Sequence, residues 1–448
     1  MEDVPKMGQA IRVRGRHVIV NNKFQIAHDL LEDRKRNLNY SSRPDFPMMD
    51  LIGRQDNVGF QKYGPRLKKY RKLLHDTLSS RFILDWSPRV RIECDSFLAD
   101  LLKRPEDIES AVLRFVGSMV VQFTYGHKLE EEYLHLVEET SKHSTAAMIP
   151  GKWAVDSYPF LRFLPAWAPG GSFQLWAADA RRLFETFTQT PFKKVKESIQ
   201  QGIVAPSFVY NNLLDMGDHY SPEDEAILAG AAASLYSAAT DTTATVIQTF
   251  FLMMVLHPEI QEKAYQEIRE VVGEDRLPDL LDESKLPYIH AIIKELHRFN
   301  PPVPLMPRSP LEEDDYEGFR IPRKSWMFTN IWAMTHDEDE YPNSTLFFPD
   351  RFLEDEGSGL RDPREISFGF GRRRCPGVTL ANTATFLAIS RTIAAFRIEA
   401  IRDSSGKSVL PKLEFVTAFT TPPKDLKCVV VPRSTAMIDM INMINNNL

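Results

Sequence analysis

The segment Phe368-Gly-Phe-Gly-Arg-Arg-Arg-Cys-Pro-Gly377 decides the fold of this chain. It is a glycine-containing loop that presents one thiol, Cys375, and an apolar segment with helical spacing follows it. We expect Pro376 to occupy the first turn of that helix, so that Cys375 lies at a helix N-terminus beside three arginines. Both features lower the pKa of a thiol, and the thiolate is the form that binds metals or acts as a nucleophile. The segment therefore predicts a functional cysteine, whereas an isolated cysteine is usually an inert buried residue.

The same segment resembles the heme-binding signature of the cytochrome P450 superfamily, F-x-x-G-x-R-x-C-x-G. The matching residues are Phe368, Gly371, Arg373, Cys375 and Gly377. The resemblance implies heme b as the cofactor, with the thiolate of Cys375 as the axial metal ligand of its iron. It also implies that Arg373 binds a heme propionate through a charge-assisted pair and that the other three residues form the cofactor loop.

Two further matches concern the support of that loop. Glu295-Leu-His-Arg298 matches E-x-x-R, and its two charged residues lie three apart on one helical face. Phe348-Pro-Asp-Arg351-Phe resembles the P-E-R-F segment of the family. The resemblance implies that Glu295, Arg298 and Arg351 join to brace the cysteine loop, which is a structural role.

A third match, Ala238-Ala-Thr-Asp241-Thr242-Thr243, lies in the middle of the longest predicted helix. It resembles A/G-G-x-D/E-T-T, which in this family crosses the oxygen side of the heme. A carboxylate and a hydroxyl in an apolar helix loosen the backbone ladder and hold water. The resemblance therefore implies that Asp241 and Thr242 are catalytic residues that relay protons. The alternative is a polar pair that bends a core helix without chemistry.

The chain departs from the family pattern at several places. Leu67 stands where the family often has tryptophan, although Arg71, four residues later, is still expected to bind a propionate. Arg308 stands where related fungal sequences often have histidine, and we expect it to bind a propionate too. Ala239 replaces the usual glycine of the oxygen-side helix, and its methyl group is expected to crowd the oxygen groove. The match begins near Gly8, without the apolar anchor and proline-rich hinge of microsomal members.

The composition is that of an ordinary globular protein. The 448 residues include 55 Lys and Arg against 61 Asp and Glu, a formal charge of −6 that disfavours general nucleic-acid binding. The three cysteines, Cys94, Cys375 and Cys428, give no disulfide framework and indicate a reducing compartment.

One predicted helix carries a run of basic residues. With the arginines of the cysteine loop, the run would attract an acidic, flavin-bearing electron donor. The alternative is an ordinary solvated helix face. The residues concerned are Arg66, Lys68, Lys69, Arg71 and Lys72 on the helix, and Arg372 and Arg374 in the loop.

The pattern along the chain predicts a mainly α protein with a small β-sheet subdomain, in a single cytochrome P450-like fold. We expect one domain over residues 1–448, with residues 434–448 as a C-terminal tail. Strands are expected at residues 11–20, with Gly15 at the turn, and at 413–416 and 428–431. The longest helix is expected from Pro222 to Leu256, capped by Ser221 and stopped by His257-Pro258. A buried central helix is favoured over a membrane span, because Asp241 interrupts its weakly apolar run.

Together these features predict a heme-thiolate monooxygenase that oxidises an apolar small molecule with O2, of the type found in fungal secondary-metabolite biosynthesis. Its electrons would come from an NADPH-dependent cytochrome P450 reductase. Family resemblance places such a protein at the cytosolic face of the endoplasmic reticulum. A form with an anchor would associate with the membrane, whereas this sequence shows no anchor and a peripheral or soluble protein is the alternative.

We expect the substrate pocket to be lined by Phe46–Met49, Leu235 and Ala238, Pro304–Met306 and the Ala418–Thr421 turn. Two other functions are open at this point. One is a reductase-independent heme-thiolate isomerase, dehydratase or peroxygenase, against which the intact acid and hydroxyl pair speaks. The other is a non-catalytic heme-binding remnant.

Overall fold

Most of the chain is helical, as the three- and four-residue spacing of its apolar residues predicts. The computed structural model describes residues 9–13, 16–128, 130–149, 151–217, 219–353 and 359–446. Within these ranges the α-helices are α1 (Phe24–Leu31), α2 (Pro47–Leu51), α3 (Pro65–Thr77), α4 (Ser80–Lys103), α5 (Ile108–Tyr125), α6 (Glu131–Met148), α7 (Ala154–Ser157), α8 (Phe173–Gln200), α9 (Phe208–Met216), α10 (Pro222–Leu256), α11 (Pro258–Val271), α12 (Pro287–Phe299), α13 (Ile331–Thr335), α14 (Arg364–Ser367), α15 (Val378–Ala395) and α16 (Thr435–Asn446).

The strands form three small sheets. They are β1 (Gln9–Val13), β2 (Arg16–Asn21), β3 (Leu305–Arg308), β4 (Asp314–Tyr316), β5 (Phe319–Ile321), β6 (Trp326–Asn330), β7 (Phe396–Arg402), β8 (Ser408–Val409) and β9 (Cys428–Pro432). The strand orders are β1-β2-β6-β3, β4-β5 and β8-β7-β9. Only the β2–β6 pair among these is parallel. The predicted fold class, mainly α with a small β-sheet subdomain, is therefore confirmed.

The strand predictions have mixed outcomes. The pair at residues 11–20 is confirmed as the antiparallel β1–β2 pair, and Gly15 lies outside the described residues. The strand at 428–431 is confirmed as β9. The strand expected at 413–416 is wrong, because Phe415 makes only an isolated bridge to Pro423. The true partner of β9 is β7, which follows α15 without a break and therefore carries no turn signal of its own.

Helix α10 is the centre of the molecule and has the predicted ends. The Ser221 hydroxyl accepts a hydrogen bond from the Asp224 backbone N–H (3.1 Å), which satisfies one of the free donors at the helix start. Within the described residues α10 is the one helix that is long and apolar enough to cross a membrane, but 78% of its most apolar window is buried inside the protein. The prediction of a buried central helix is confirmed.

The start of helix α15 differs from the sequence prediction. Gly377 is the N-cap and Val378 the first helical residue, so Pro376 lies outside the helix rather than in its first turn. The loop before it is closed by a hydrogen bond from the Cys375 N–H to the Phe368 carbonyl (2.9 Å). Gly371 has a φ of +57°, and a Cβ there would lie 2.0 Å from the carbonyl oxygen of Leu31. Glycine is therefore required at this position by both conformation and space.

The C-terminal residues 435–446 form helix α16, which packs against α4. Its apolar residues Met437 and Ile441 are buried in the main core. This contact fixes the end of the described chain to the helical body.

Candidate functional site

The thiol of Cys375 opens into an internal cavity rather than onto the outer surface. Burial raises the pKa of this thiol, while the Gly377 N–H and the charges of Arg71 and Arg374 act to lower it. Burial has the larger effect, so the predicted net lowering of the pKa is wrong for the cysteine on its own. Coordination to a metal ion would reverse the balance, because a coordinated thiol is deprotonated outright.

Four arginines gather beside the Cys375 loop, and within the described residues none of them is in contact with a carboxylate. Among the described residues, no carboxylate oxygen lies within 4.0 Å of their guanidinium nitrogens. Their hydrogen bonds go to backbone carbonyls instead: Arg43 Nε to Gly59 (2.7 Å), Arg71 Nη1 to Arg374 (2.7 Å), Arg308 Nη2 to Phe370 (3.1 Å) and Arg373 Nε to Ser41 (2.8 Å). We call this set the proximal arginine cluster.

The members of the proximal arginine cluster repel one another. Burial lowers the pKa of Arg373 to about 8, and the charges of Arg43 and Arg71 add to the effect. The pKa of Arg308 is lowered well below its usual value, first by burial and then by the charges of Arg43, Arg373 and Arg71. The Nε atom of Arg308 is buried and has no hydrogen-bond partner in the part of the chain that the structure describes. Such a cluster could hold an anionic group, because uncompensated buried charges lower the stability of the folded protein.

The predicted catalytic pair lies on α10 and faces the same cavity as Cys375. Ser141 on α6 donates a hydrogen bond to Asp241 Oδ2 (3.0 Å). Burial raises the pKa of Asp241, opposed by this bond and by the charge of Arg54. Thr242 donates its hydroxyl proton to the Ala238 carbonyl (2.8 Å), and the helix is continuous through the pair. The expected loosening of the backbone ladder is therefore not seen.

The cavity wall is mostly apolar, as the pocket prediction requires. Leu235 and Ala238 line it as expected, and so do one residue of the Pro304–Met306 segment and the middle of the Ala418–Thr421 turn. The expectation for Phe46–Met49 is wrong, because Phe46 and Met49 line a separate recess and Met48 packs in a small core. Further apolar lining residues are Leu74, Leu78, Met119, Val137, Val246 and Val303.

The cysteine loop is supported from helix α12. The carboxylate of Glu295 is fully buried between Arg298 (Nε to Oε2, 2.7 Å) and Arg351 (Nε to Oε2, 3.3 Å). The expected joining of these three residues is thus confirmed, and their bracing of the cysteine loop stays a prediction. His297, which lies between Glu295 and Arg298 on the helix, connects α12 to the loop, with Nδ1 3.0 Å from Ser367 Oγ and its ring 5.1 Å from that of Phe368.

The structure brings the predicted site residues together to different degrees. Seven of them line the cavity: Arg71, Asp241, Thr242, Phe368, Arg373, Cys375 and Gly377. Arg308 and Gly371 lie immediately behind the wall, where they hold the Phe370 carbonyl and the Glu32 carboxylate. Sequence reasoning missed Arg43 and Arg54, because nothing in their local sequence distinguishes them from surface arginines.

Comparison with known proteins identifies the family of this arrangement. A family model described as "Cytochrome P450" matches residues 9–430. The chain belongs to the cytochrome P450 family. Its curated relatives include the fungal cytochrome P450 monooxygenases claR of Ampulloclitocybe clavipes (35% identical over 98% of this chain and 82% of the relative) and ppsD of Aspergillus oryzae (34%, 92% and 80%). This protein is therefore a cytochrome P450 monooxygenase, and its resemblance to fungal members of the family is confirmed.

Solved cytochrome P450 structures share the fold. A zebra fish cytochrome P450 with progesterone has a TM-score of 0.76 at 22% identity, and covers 95% of this chain and 96% of its own. The structure of a zebra fish cytochrome P450 with abiraterone gives 0.75 at 21% identity over the same shares. The cytochrome P450 family and fold imply heme with a thiolate ligand. The residues present fit that group, since they offer an accessible thiol and, beside it, unpaired positive charge for two propionates.

Proposed function

We propose that this cytochrome P450 binds heme b through Cys375 and inserts one oxygen atom of O2 into an apolar small molecule, with electrons from NADPH through a separate reductase. The observation that carries the proposal is that one apolar cavity is lined by Cys375 and by the polar pair Asp241 and Thr242. A fungal secondary-metabolite pathway is the setting in which we place the reaction, on the strength of the fungal relatives.

The residues that would hold the cofactor fall into three sets: the ligand of the iron, the arginines that bind the propionates, and the residues that shape the loop. The thiolate of Cys375 would bind the heme iron, and Arg71, Arg308 and Arg373 would bind the propionates, joined by Arg43. Phe368, Gly371 and Gly377 would shape the loop around the thiolate. A heme held in this way supplies the activation of O2, because the thiolate donates electron density that favours O–O cleavage.

The polar pair would manage protons on the substrate side. Asp241 accepts a hydrogen bond at Oδ2 from Ser141, which leaves Oδ1 to exchange a proton with water in the cavity. Since burial raises the pKa of this carboxyl, it holds a proton more readily than an exposed aspartate does. Thr242 donates its own proton to Ala238, so its oxygen is left to accept a proton-bearing partner from the cavity.

A reconstituted system tests the reaction. With a cytochrome P450 reductase and NADPH, the wild type should consume NADPH and form an oxygenated product from an accepted substrate. Asp241→Asn should lower product formation about a hundredfold or more, and Thr242→Ala should raise the NADPH consumed per product. Control variant Thr379→Ala replaces a threonine at the start of α15 outside the cavity. Product formation without any reductase would contradict the proposal and favour the reductase-independent alternatives.

A basic surface beside the cysteine loop supports the proposal that a reductase is the electron-donating partner. Arg71 joins α3 to the loop through the Arg374 carbonyl, and Lys68 and Lys72 are exposed on the same helix. Lys69, in contrast, is paired with Asp224 (2.9 Å) and contributes less free charge. Reversing Lys68 and Lys72 to glutamate should slow reductase-driven turnover at low ionic strength and leave it unchanged at high salt. Lys407→Glu in the β7–β8 turn is the control, and equal turnover of all three proteins at every salt concentration would contradict this partner surface.

The segment 158–167 supports membrane association. It exposes Tyr158, Phe160, Phe163 and Trp167, the last two by 82% and 85%. Aromatic side chains of this kind favour the membrane–water interface. Binding to phosphatidylcholine vesicles should fall when Phe163 and Trp167 are replaced by serine, and should not change for Leu281→Ser, an equally exposed residue elsewhere. Unchanged binding of the double variant would contradict a peripheral position at the endoplasmic reticulum.

A further inference from the structure

One part of the cavity wall is polar and carries a buried positive charge. Arg54 follows Gly53, whose φ of +83° turns the chain towards α6 and α8. Its side chain is only 4% exposed and lines the same cavity as Cys375. The guanidinium lies 4.3 Å above the ring of Phe184, so it is held from one face by a cation–π contact.

The hydrogen bonds of Arg54 fix its orientation but leave one nitrogen free. Nε donates to Ser144 Oγ (2.8 Å), and Nη2 donates to the same hydroxyl and to the Thr140 carbonyl (3.3 Å). Among the residues that the structure describes, Nη1 has no hydrogen-bond partner. The α6 hydroxyl and carbonyl thus hold two nitrogens of the planar fork and leave the third available to the cavity.

The charge of Arg54 has no counter-ion in contact with it. No carboxylate oxygen of the described residues lies within 4.0 Å of its guanidinium nitrogens. Asp241 acts on it only from a greater distance, and burial makes the carboxylate form of Asp241 less favourable. A buried guanidinium without an ion pair lowers the stability of the folded protein, because its charge has lost contact with water. An anion that enters the cavity and pairs with it would restore that stability.

We propose that Arg54 is a substrate-recognition residue, and that the preferred substrate is an apolar molecule with a carboxylate group that pairs with the Arg54 guanidinium. The serine and threonine groups at Thr140, Ser141 and Ser144 complete a polar subsite in a cavity that is otherwise apolar. The apolar remainder of the substrate then lies along the wall that leads to Cys375. This inference rests on the proposed function, because it assigns the substrate of that reaction. Its test measures binding and does not require catalytic turnover.

The test is a binding comparison by isothermal titration calorimetry on the full chain with its cofactor. The probes are the saturated carboxylic acids from octanoic to hexadecanoic acid and their methyl esters, which differ only in the charged group. The wild type should bind the best acid about ten- to hundredfold more tightly than its ester, the contribution of a hydrogen bond to a charged group. Arg54→Gln should remove that preference, and Arg54→Lys should keep part of it.

Control variant Arg182→Gln removes an exposed arginine from the neighbouring helix α8, where it pairs with Asp179, and should bind like the wild type. Equal affinity of the wild type for acids and esters, or no binding of any acid, would overturn the proposal. So would an acid preference that persists in Arg54→Gln. The result is separable from the proposed function, whose failure would show as the absence of a heme-thiolate absorption band in the wild type. Should Arg54→Gln not fold, the wild-type ratio and the Arg54→Lys ratio still decide the question.

Discussion

Two groups of buried arginines lie in this protein, and they differ in what neutralises them. Around Glu295, the guanidinium groups of Arg298 and Arg351 contact one carboxylate, and Arg298 also donates to the carbonyls of three other residues. In the proximal arginine cluster, Arg43, Arg308 and Arg373 are comparably buried and Arg71 is half-buried, but none of them has an ion pair among the described residues. The positive charges of the first group are neutralised by a carboxylate of the same chain. Those of the second group are not, and remain available to an anionic ligand.

Both groups consist of arginines, so the residue type alone does not tell a structural role from a binding role. The presence or absence of an ion pair does. A buried ion pair completed by backbone hydrogen bonds serves the fold, and removal of one partner strands the other. An uncompensated cluster lowers the stability of the empty chain and is retained where a ligand restores the balance. Substitution should therefore change the stability of the fold at the first group and the affinity for a ligand at the second.

The largest effect is expected at the completed group. Glu295→Gln leaves Arg298 buried without its counter-charge, and we expect the free energy of unfolding to fall by about 3–5 kcal/mol. Urea denaturation followed by circular dichroism measures this. The matched control is Glu138→Gln, which breaks an exposed pair with Lys142 and should cost less than about 1 kcal/mol. Equal losses for the two variants would show that the buried group does not depend on its ion pair.

At the open cluster the effect should appear in heme affinity rather than in the fold. Arg373→Gln removes one charge that would pair with a propionate, and we expect heme affinity to fall about ten- to hundredfold. Competition with a heme scavenger measures the loss, with Arg182→Gln as the exposed control. Arg373→Lys should retain part of the affinity. An Arg373→Gln protein that holds heme as tightly as the wild type would contradict the binding role of the proximal arginine cluster.

His297, which joins the two regions, should give a smaller and pH-dependent effect. Burial, with a contribution from Arg364, lowers its pKa to about 3, below the 6.5 of an ordinary histidine. Between these values the unfolded chain binds a proton that the folded chain does not, so stability is lost as the pH falls below about 6.5. His297 should therefore make the free energy of unfolding fall by about 1.4 kcal/mol for each pH unit between these two values.

The substitution His297→Asn should reduce that slope by one proton, as measured by urea denaturation between pH values above and below 6.5. His75→Asn replaces an exposed histidine of α3 and should leave the slope as it is. An unchanged slope in His297→Asn would mean that another group controls the acid sensitivity of the link between α12 and the cysteine loop.

Signals that are local in sequence predicted the fold and site most accurately. The ends of α10, the ion-paired cluster of Glu295, Arg298 and Arg351, and the place of Cys375 in the loop all follow from short motifs. The start of α15 was missed by two residues, because proline and glycine both suit that junction. β7 was missed because it follows a helix directly, and Arg43 and Arg54 were missed because only tertiary packing removes their solvent and counter-ions.

The central claim is that the sulfur of Cys375 binds the heme iron as a thiolate. The most direct measurement is the carbon monoxide difference spectrum of the reduced protein, recorded for the wild type and for three cysteine variants. We predict the red-shifted thiolate band in the wild type and in Cys94→Ser and Cys428→Ser, whose sulfurs are buried away from the cavity, and its loss in Cys375→Ser. A Cys375→Ser protein that keeps the band would contradict the account.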